Sequence, residues 1–531
     1  MVELQNIKIF QGGMGVDIAN WKMARAAALW GIKHGMPTMG IVSNTGRDIV
    51  YARALQDGDP GGHYRRASKH FPNQRIVDEV WSRYYIEGGK PSDKPYKAVP
   101  VATFRQSRQS RELIALAGGS EIWLAKEGHD GPIGVNFLTE VQAPMQSELA
   151  AVMAEKVDAV VVGAGIPLQF PDVMDDLAAY RKSRFYPHVE AGNPKEFEML
   201  FDPRDIFPES LGVELRRPWF IPIVSTPSLA KSIIKSTKSG DGEIRVDGCV
   251  VELYSAGGHN APPRGKPIRY NERREPQYGP RDEMNEAKWA EMRELGIPFW
   301  GAGAFARPER LKELIEKFGA NGGQFGSIFA MTEESGYAPW IKAELRRLGY
   351  LGILDVLKDG DGSPSSFPFN EGMIPGTIAI PEVYAERDTD VDGRICDLER
   401  LRHMGANRSG DVIMYCPSEP VEDYVRKRLQ RRDTNALYNN TITSYGRTAI
   451  IFNIIAETKG KKCLCNHLLS AAGKPQVRKW GVEKAIVTIG DDVGFLPDLI
   501  NSPYGFYFVD DALNYLTSEI RRLSLTKPQF S

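Results

Sequence analysis

The chain has 531 residues, 67 Lys and Arg against 68 Asp and Glu, 42% hydrophobic residues and 25% charged ones. This is the balance of a globular protein larger than one ordinary domain, with no bulk field to recruit nucleic acid or an anionic membrane. The N-terminus lacks a signal peptide's regions, no uninterrupted apolar run is long enough to span a bilayer, and the five cysteines are too few for a disulfide framework; the expected location is a reducing cytoplasm.

Eight short apolar runs follow in series, each ending in glycine or another small residue: IKIFQGG (7–13), PTMGIVS (37–43), GPIGVNFL (131–138), AVVVGAG (159–165), FIPIVST (220–226), CVVELYSAGG (249–258), IPFWGAGA (297–304) and GGQFGSIFA (322–330). Their continuous, non-alternating character is that of buried parallel strands, with helical patterns between them. Eight such units predict a (β/α)8 TIM barrel whose chemistry gathers where strands give way to loops. In the first unit Asp17 is expected to cap a helix that puts Met23, Ala26, Ala27 and Trp30 on one face and stops at Gly31. Residues 44–130 form a long insertion with a helical stretch at 74–85, expected to cover part of the barrel mouth. A second insertion spans about 261–290. Near the seventh strand, Pro308 opens a helix with Leu311, Leu314, Ile315 and Phe318 on one face.

The barrel with its insertions is assigned to residues 1–350 and a C-terminal α+β extension to 351–531, with 358–368 as a turn-rich crossing. The extension is expected to cap the barrel mouth.

The strongest chemical signal closes the barrel half. Gly301 and Gly303 end one strand, and Gln324, Gly326 and Ser327 end the next. Glycine lets backbone N–H groups approach phosphate oxygens, and a hydroxyl adds a donor. Loops after strands seven and eight are the usual phosphate site of this fold. Weaker signals are the glycine-rich strand end at Gly12, Gly13 and Met14, and Asn136, an amide inside an apolar strand that needs a buried partner. His259 follows two glycines at a strand end, where imidazole suits proton transfer or hydrogen bonding to an anion. Lys126, Glu127 and His129 read as a polar turn at the opposite end of the barrel, and Cys249 as core. Cys396, Cys416, Cys463 and Cys465 lack the paired C-x2-C spacing of a zinc site, so the default is buried thiols and no metal, with zinc as the alternative.

Six elements in register, QGGMG (11–15), PIGVNF (132–137), GAGIP (163–167), SAGGH (255–259), GAGAF (301–305) and QFGSIF (324–329) with TEES (332–335), resemble the nitronate monooxygenase (2-nitropropane dioxygenase-like) family of FMN-dependent barrels. AKEGHDGP, GGHNAPPRGK, SPSSFPF, RICDL, CPSEPVEDYV and CLCNHLL resemble a longer-chain subgroup, leaving an extra stretch near 430–458. The resemblance implies FMN as cofactor. Gly12, Gly13, Met14, Asn136 and Gly257 would contact it, and Gly303, Gln324, Phe325, Gly326 and Ser327 would lie around its phosphate. His259 would be the catalytic base or substrate hydrogen-bond donor. Glu252 stands where members often carry Gln, so its charge bears on flavin potential, and Ala304 replaces the second glycine of a pair.

The implied activity is oxidation of alkyl nitronates by O2 to a carbonyl compound and nitrite. The alternative on the same barrel is an NAD(P)H-dependent reductase of quinones or enoyl thioesters; the non-enzymatic alternative is a barrel supporting an interaction or metal-binding module. Expected partners are a small-molecule substrate and O2, with no nucleic acid and no membrane; a homo-oligomer is left open.

Overall fold

The computed structural model describes residues 2–265, 267–273, 275–359, 369–372, 395–434, 444–459, 461, 463–479 and 481–521. Eight strands close into a parallel barrel: β1 (Ile9–Gln11), β2 (Thr38–Ser43), β3 (Ile133–Leu138), β4 (Ala159–Gly163), β5 (Trp219–Val224), β6 (Cys249–Glu252), β7 (Phe299–Ala302) and β8 (Gly322–Phe325). Each pairs with its sequence neighbours, and β8 returns to β1 with Phe10 opposite Gln324. The eight apolar runs are these eight strands.

Alternation within each strand splits the apolar side chains between two cores, because successive residues face opposite sides of the sheet. Phe10, Met39, Ile41, Val161, Ile221, Val250 and Trp300 fill the barrel interior, with Leu4 and Ile7 plugging its lower end. Phe10 and Trp300 stack at 4.3 Å, and the Trp300 indole donates to the Ile7 carbonyl at 2.9 Å. The intervening residues, such as Val160, Val162 and Val251, pack outward against the helical ring.

The first helix runs Trp21–His34, and Asn20 caps it by accepting from Lys22 N and Met23 N. Asp17 does not cap; it turns to an ion pair with Arg47 at 2.6 Å. Nor does Gly31 stop the helix. Gly31 is buried inside it, and Gly35 ends it in the left-handed region (φ 62°). The helix Pro308–Glu316 forms as expected and buries Leu311 and Leu314.

Residues 44–130 include helices Arg47–Gln56, Gln74–Tyr84 and Arg108–Lys126. The last is the outer-ring helix between β2 and β3, packed on Trp21–His34 and Met145–Ala154. Most of this segment therefore belongs to the ring; only Thr45 reaches the pocket described below. The polar turn at 126–129 precedes β3, where Lys126 pairs with Asp158 at 2.7 Å. Cys249 is fully buried.

Strand–helix alternation ends after the helix Pro339–Tyr350. The flanks of the expected crossing are strands, Val356–Asp359 and Phe369–Gly372, paired antiparallel. Residues 360–368, most of that crossing, lie outside the described residues, as do most of SPSSFPF and part of the 430–458 stretch. The extension then supplies a hairpin (His403–Ala406 with Val412–Tyr415) and helices Val421–Gln430, Ser444–Glu457, Leu464–Ala471 and Val509–Leu516. The last packs on the first barrel helix, where the Trp30 indole donates to Asn514 at 3.1 Å. Among the described residues no helix is long and apolar enough to cross a membrane.

Candidate active site

One pocket opens at the C-terminal ends of the strands, and all twelve residues singled out from the sequence line it. Register explains why distant residues meet. Ala302 lies opposite Glu252 on one side and Gln324 on the other, and partners in a parallel ladder face the same way. Glu252 and Gln324 thus flank Ala302 at the top of the barrel, and Asn136, opposite Ser43 and Val161, joins them from β3.

The turn after β1 is pinned from both sides. Gln11, fully buried, donates to the Gly12 carbonyl at 2.7 Å and accepts from Ile41 N at 3.2 Å. Gly12 N donates to the Phe325 carbonyl at 2.9 Å. A Cβ on Gly13 would stand 2.5 Å from Asn136 Cγ, so only glycine leaves room for that amide. Met14 sits against Gly326, its sulfur 3.3 Å from where a Cβ would lie.

Two buried amide oxygens in the pocket, Asn136 Oδ1 and Gln324 Oε1, have no hydrogen-bond partner among the described residues. Buried polar atoms are normally satisfied, so this pair marks a place for a ligand with donors to offer. A planar heteroaromatic ring with alternating donors and acceptors at its edge fits this set, as does the glycine-bordered face beside it. On the far side, Gly303 (φ 94°) and Ala304 (φ 54°) make a left-handed turn before the helix Pro308–Glu316, whose N-terminal end adjoins the strand ends. Backbone N–H groups and a helix N-terminus suit an anionic group. Ser327 Oγ accepts from Gly490 N at 2.8 Å, which leaves its own proton to donate.

His259 lies half-buried in the pocket wall, and burial draws its imidazole down to about 4. It is therefore neutral through the neutral range and presents one donor and one acceptor. Its backbone belongs to a small sheet in which Gly258–His259 pairs with Phe369–Gly372. Burial pushes the Glu252 carboxyl up to about 8, so it is protonated at neutral pH.

Sequence reasoning expected the extension over the barrel mouth but named none of its residues in the pocket wall. Thr488, Ile489, Gly490 and Asp492 line the pocket, as do Leu401, Leu464 and Leu468. The close approach that Gly257 permits is to this wall, since a Cβ there would meet Gly490 N at 2.6 Å. The buried Tyr337 hydroxyl fixes the segment, donating to the Thr488 carbonyl at 2.7 Å and accepting from Thr488 N at 3.2 Å. Asp492 pairs with Arg307 at 3.0 Å. Lys358 pairs with Asp491 at 2.9 Å and lies over the stacked rings of Tyr254 and Tyr278, which ties the second insertion to the same wall. An apolar run ending in glycine at IVTIGDD (486–492) was the available signal, but nothing around it repeats the βα pattern.

No family model and no curated protein matches the chain. Among solved structures it is similar to FabK from Thermotoga maritima (TM-score 0.43, 14% identity, 98% of this chain and 94% of that one). It is also similar to the enoyl reductase domain of MlnA from the macrolactin biosynthesis cluster of Bacillus amyloliquefaciens (0.45, 14%, 97% and 95%). A third similar structure is nitroalkane oxidase from Streptomyces ansochromogenes (0.39, 13%, 98% and 98%). It is the closed parallel ladder of this chain, rather than these likenesses, that identifies the barrel.

Proposed function

We propose that the pocket holds FMN and that the protein oxidises small alkyl nitronates with O2, giving a carbonyl compound and nitrite. The observation that carries this reading is the pair of unpartnered amide oxygens, Asn136 Oδ1 and Gln324 Oε1, beside a glycine-lined turn at the mouth of the barrel. In it, Asn136 and Gln324 take the ring's edge, Gly12, Gly13 and Met14 lie along it, and Phe325 supports the turn at Gly12. The backbone at Gly303, Gly326 and Ser327 takes the 5′-phosphate. When bound, a flavin supplies the centre that accepts electrons from the substrate and passes them to O2.

His259 serves as a hydrogen-bond partner for the nitro oxygens. With its conjugate acid near 4 it is a weak base toward a C–H group, so the anion already formed is the better substrate. Glu252, uncharged below about pH 8, adds no negative charge to the site at neutral pH. The wall at 488–492 narrows the mouth and limits water at the reacting face.

An anaerobic absorbance titration of the purified protein with a small alkyl nitronate tests this. The expected outcome is loss of the oxidised-flavin band, with colour and nitrite appearing when air is admitted. A spectrum unchanged by nitronate but bleached by NAD(P)H would replace the reading with the reductase; protein that neither retains nor takes up flavin would remove the cofactor assignment.

A further inference from the structure

Residues 488–492 of the extension touch the loops after β6, β7 and β8. On the β8 side Gly490 N donates to Ser327 Oγ at 2.8 Å, and Tyr337 holds Thr488 at 2.7 Å. On the β6 side this strap meets Gly257 backbone to backbone. A Cβ on Gly257 would stand 2.6 Å from Gly490 N, and one on Gly490 would stand 3.0 Å from Ser327 Oγ and 3.1 Å from the Ser255 carbonyl. Glycine on both sides lets the two stretches meet with no side chain between them. On the β7 side Asp492 pairs at 3.0 Å with Arg307, the residue just before the helix Pro308–Glu316.

These are the strand ends that the proposed reading gives to the 5′-phosphate, and the inference rests on that reading. Asp492 lines the same pocket as Gly303 and Ser327. A carboxylate in that position repels a phosphate unless a cation takes up its charge. The neighbouring Asp491 has Lys358 at 2.9 Å, and Asp492 has Arg307.

We propose that the strap at 488–492 closes the phosphate end of the cofactor site, and that Arg307 permits this by neutralising Asp492. Arg307 is then a positioning residue and not a phosphate ligand. Its side chain is 40% exposed and that of Asp492 22%, so salt screens the pair in part. The hydrogen bond from Gly490 orients the Ser327 hydroxyl, whose proton remains to be donated. The charge of the pair matters to a ligand that carries phosphate. Riboflavin, which has the same ring and no phosphate, is indifferent to it.

Affinities of the full-length protein for FMN and for riboflavin, measured by flavin fluorescence after removal of any bound flavin, test the proposal. Arg307→Met leaves the Asp492 charge facing the phosphate. It should weaken FMN about tenfold while moving riboflavin less than about twofold. High salt should shrink that defect. Arg307→Met/Asp492→Asn should return FMN to within about threefold of wild type. Asp492→Asn alone keeps the side-chain oxygen that accepts from Gly494 N at 3.2 Å, and should bind FMN at least as tightly as wild type. FMN and riboflavin weakened alike by Arg307→Met overturn the proposal, as does FMN weakened by Asp492→Asn. A defect that persists in the double variant also overturns it, by making Arg307 a direct phosphate ligand. Wild-type protein that binds neither flavin removes the cofactor reading and this inference with it; FMN bound equally by wild type and Arg307→Met removes the inference alone.

Discussion

The barrel and the C-terminal extension are held together by different physics. In the barrel, continuous apolar strands bury both faces, and the interior is filled by Phe10, Ile41, Val161, Ile221 and Trp300 with hardly a charge among them. The extension relies on charges taken out of water. Arg400 reaches Asp48 on the first insertion helix, Arg431 reaches Glu190, Arg428 pairs with Glu457 at 2.9 Å, and Arg478 pairs with both Asp397 and Glu483. Apolar packing is non-directional and tolerates adjustment, whereas a buried ion pair is worth its desolvation only when both partners are in place. The extension's docking therefore joins apolar packing continuous with the barrel's outer core, through residues such as Leu464, Ile486, Phe495 and Leu513, to a few directional polar contacts.

Breaking one partner of a buried pair should expose the contrast most sharply. Asp48→Ala leaves the Arg400 guanidinium buried and unpaired and is expected to cost ~3–5 kcal/mol in denaturant unfolding, with most of the loss recovered in Asp48→Ala/Arg400→Met. Ile41→Val in the barrel interior should cost only ~1 kcal/mol by the same measurement. Equal losses in the two would erase the distinction.

At the seam between the regions, Gly13→Ala puts a methyl group on the Asn136 amide and should weaken flavin binding at least about tenfold in equilibrium dialysis, with little change in secondary structure. Retention of wild-type affinity would mean that the amide does not face the ring.

Glu252 gives a pH test. Its folded carboxyl titrates near 8, above its unfolded value, so the protonated form favours folding; that contribution is complete below about pH 4.5 and is lost as pH rises through 8. Wild-type stability should fall between about pH 5 and 8 relative to Glu252→Gln and level off above 8, whereas the variant's profile should be flatter across that range. Parallel curves would place the carboxyl in contact with water. The smallest effect is expected at the phosphate-side turn, where Ala304 has φ 54°: Ala304→Gly should stabilise by up to about 1 kcal/mol, read as a small rise in Tm.

Much of the barrel was legible because its signals are local. A strand buried on both faces must be largely apolar, and each of the eight runs is, with polar residues such as Gln11, Asn136, Glu252 and Gln324 falling at or near the strand ends that form the site. Glycines at strand ends mark places where backbone has to come close to something, and Gly12, Gly13, Gly303 and Gly326 all border the pocket. Errors arose where two local solutions compete. Asp17 and Asn20 are both good caps, and the choice fell to Asn20 because Arg47, thirty residues on, needs the Asp17 carboxylate. Gly31 looked like a helix stop, yet its missing side chain serves a close approach to Met36 and Thr38.

The amino-acid sequence by itself determined the barrel, the order of its strands and the twelve residues at its mouth, since periodicity and strand-end chemistry act over a few residues. Only the tertiary structure decided that the 488–492 segment closes the pocket and that the edge formed by Gly258 and His259 is braced by residues 369–372. Such encounters depend on how the chain returns over long loops, and on register between strands, neither of which is written in any short stretch of residues.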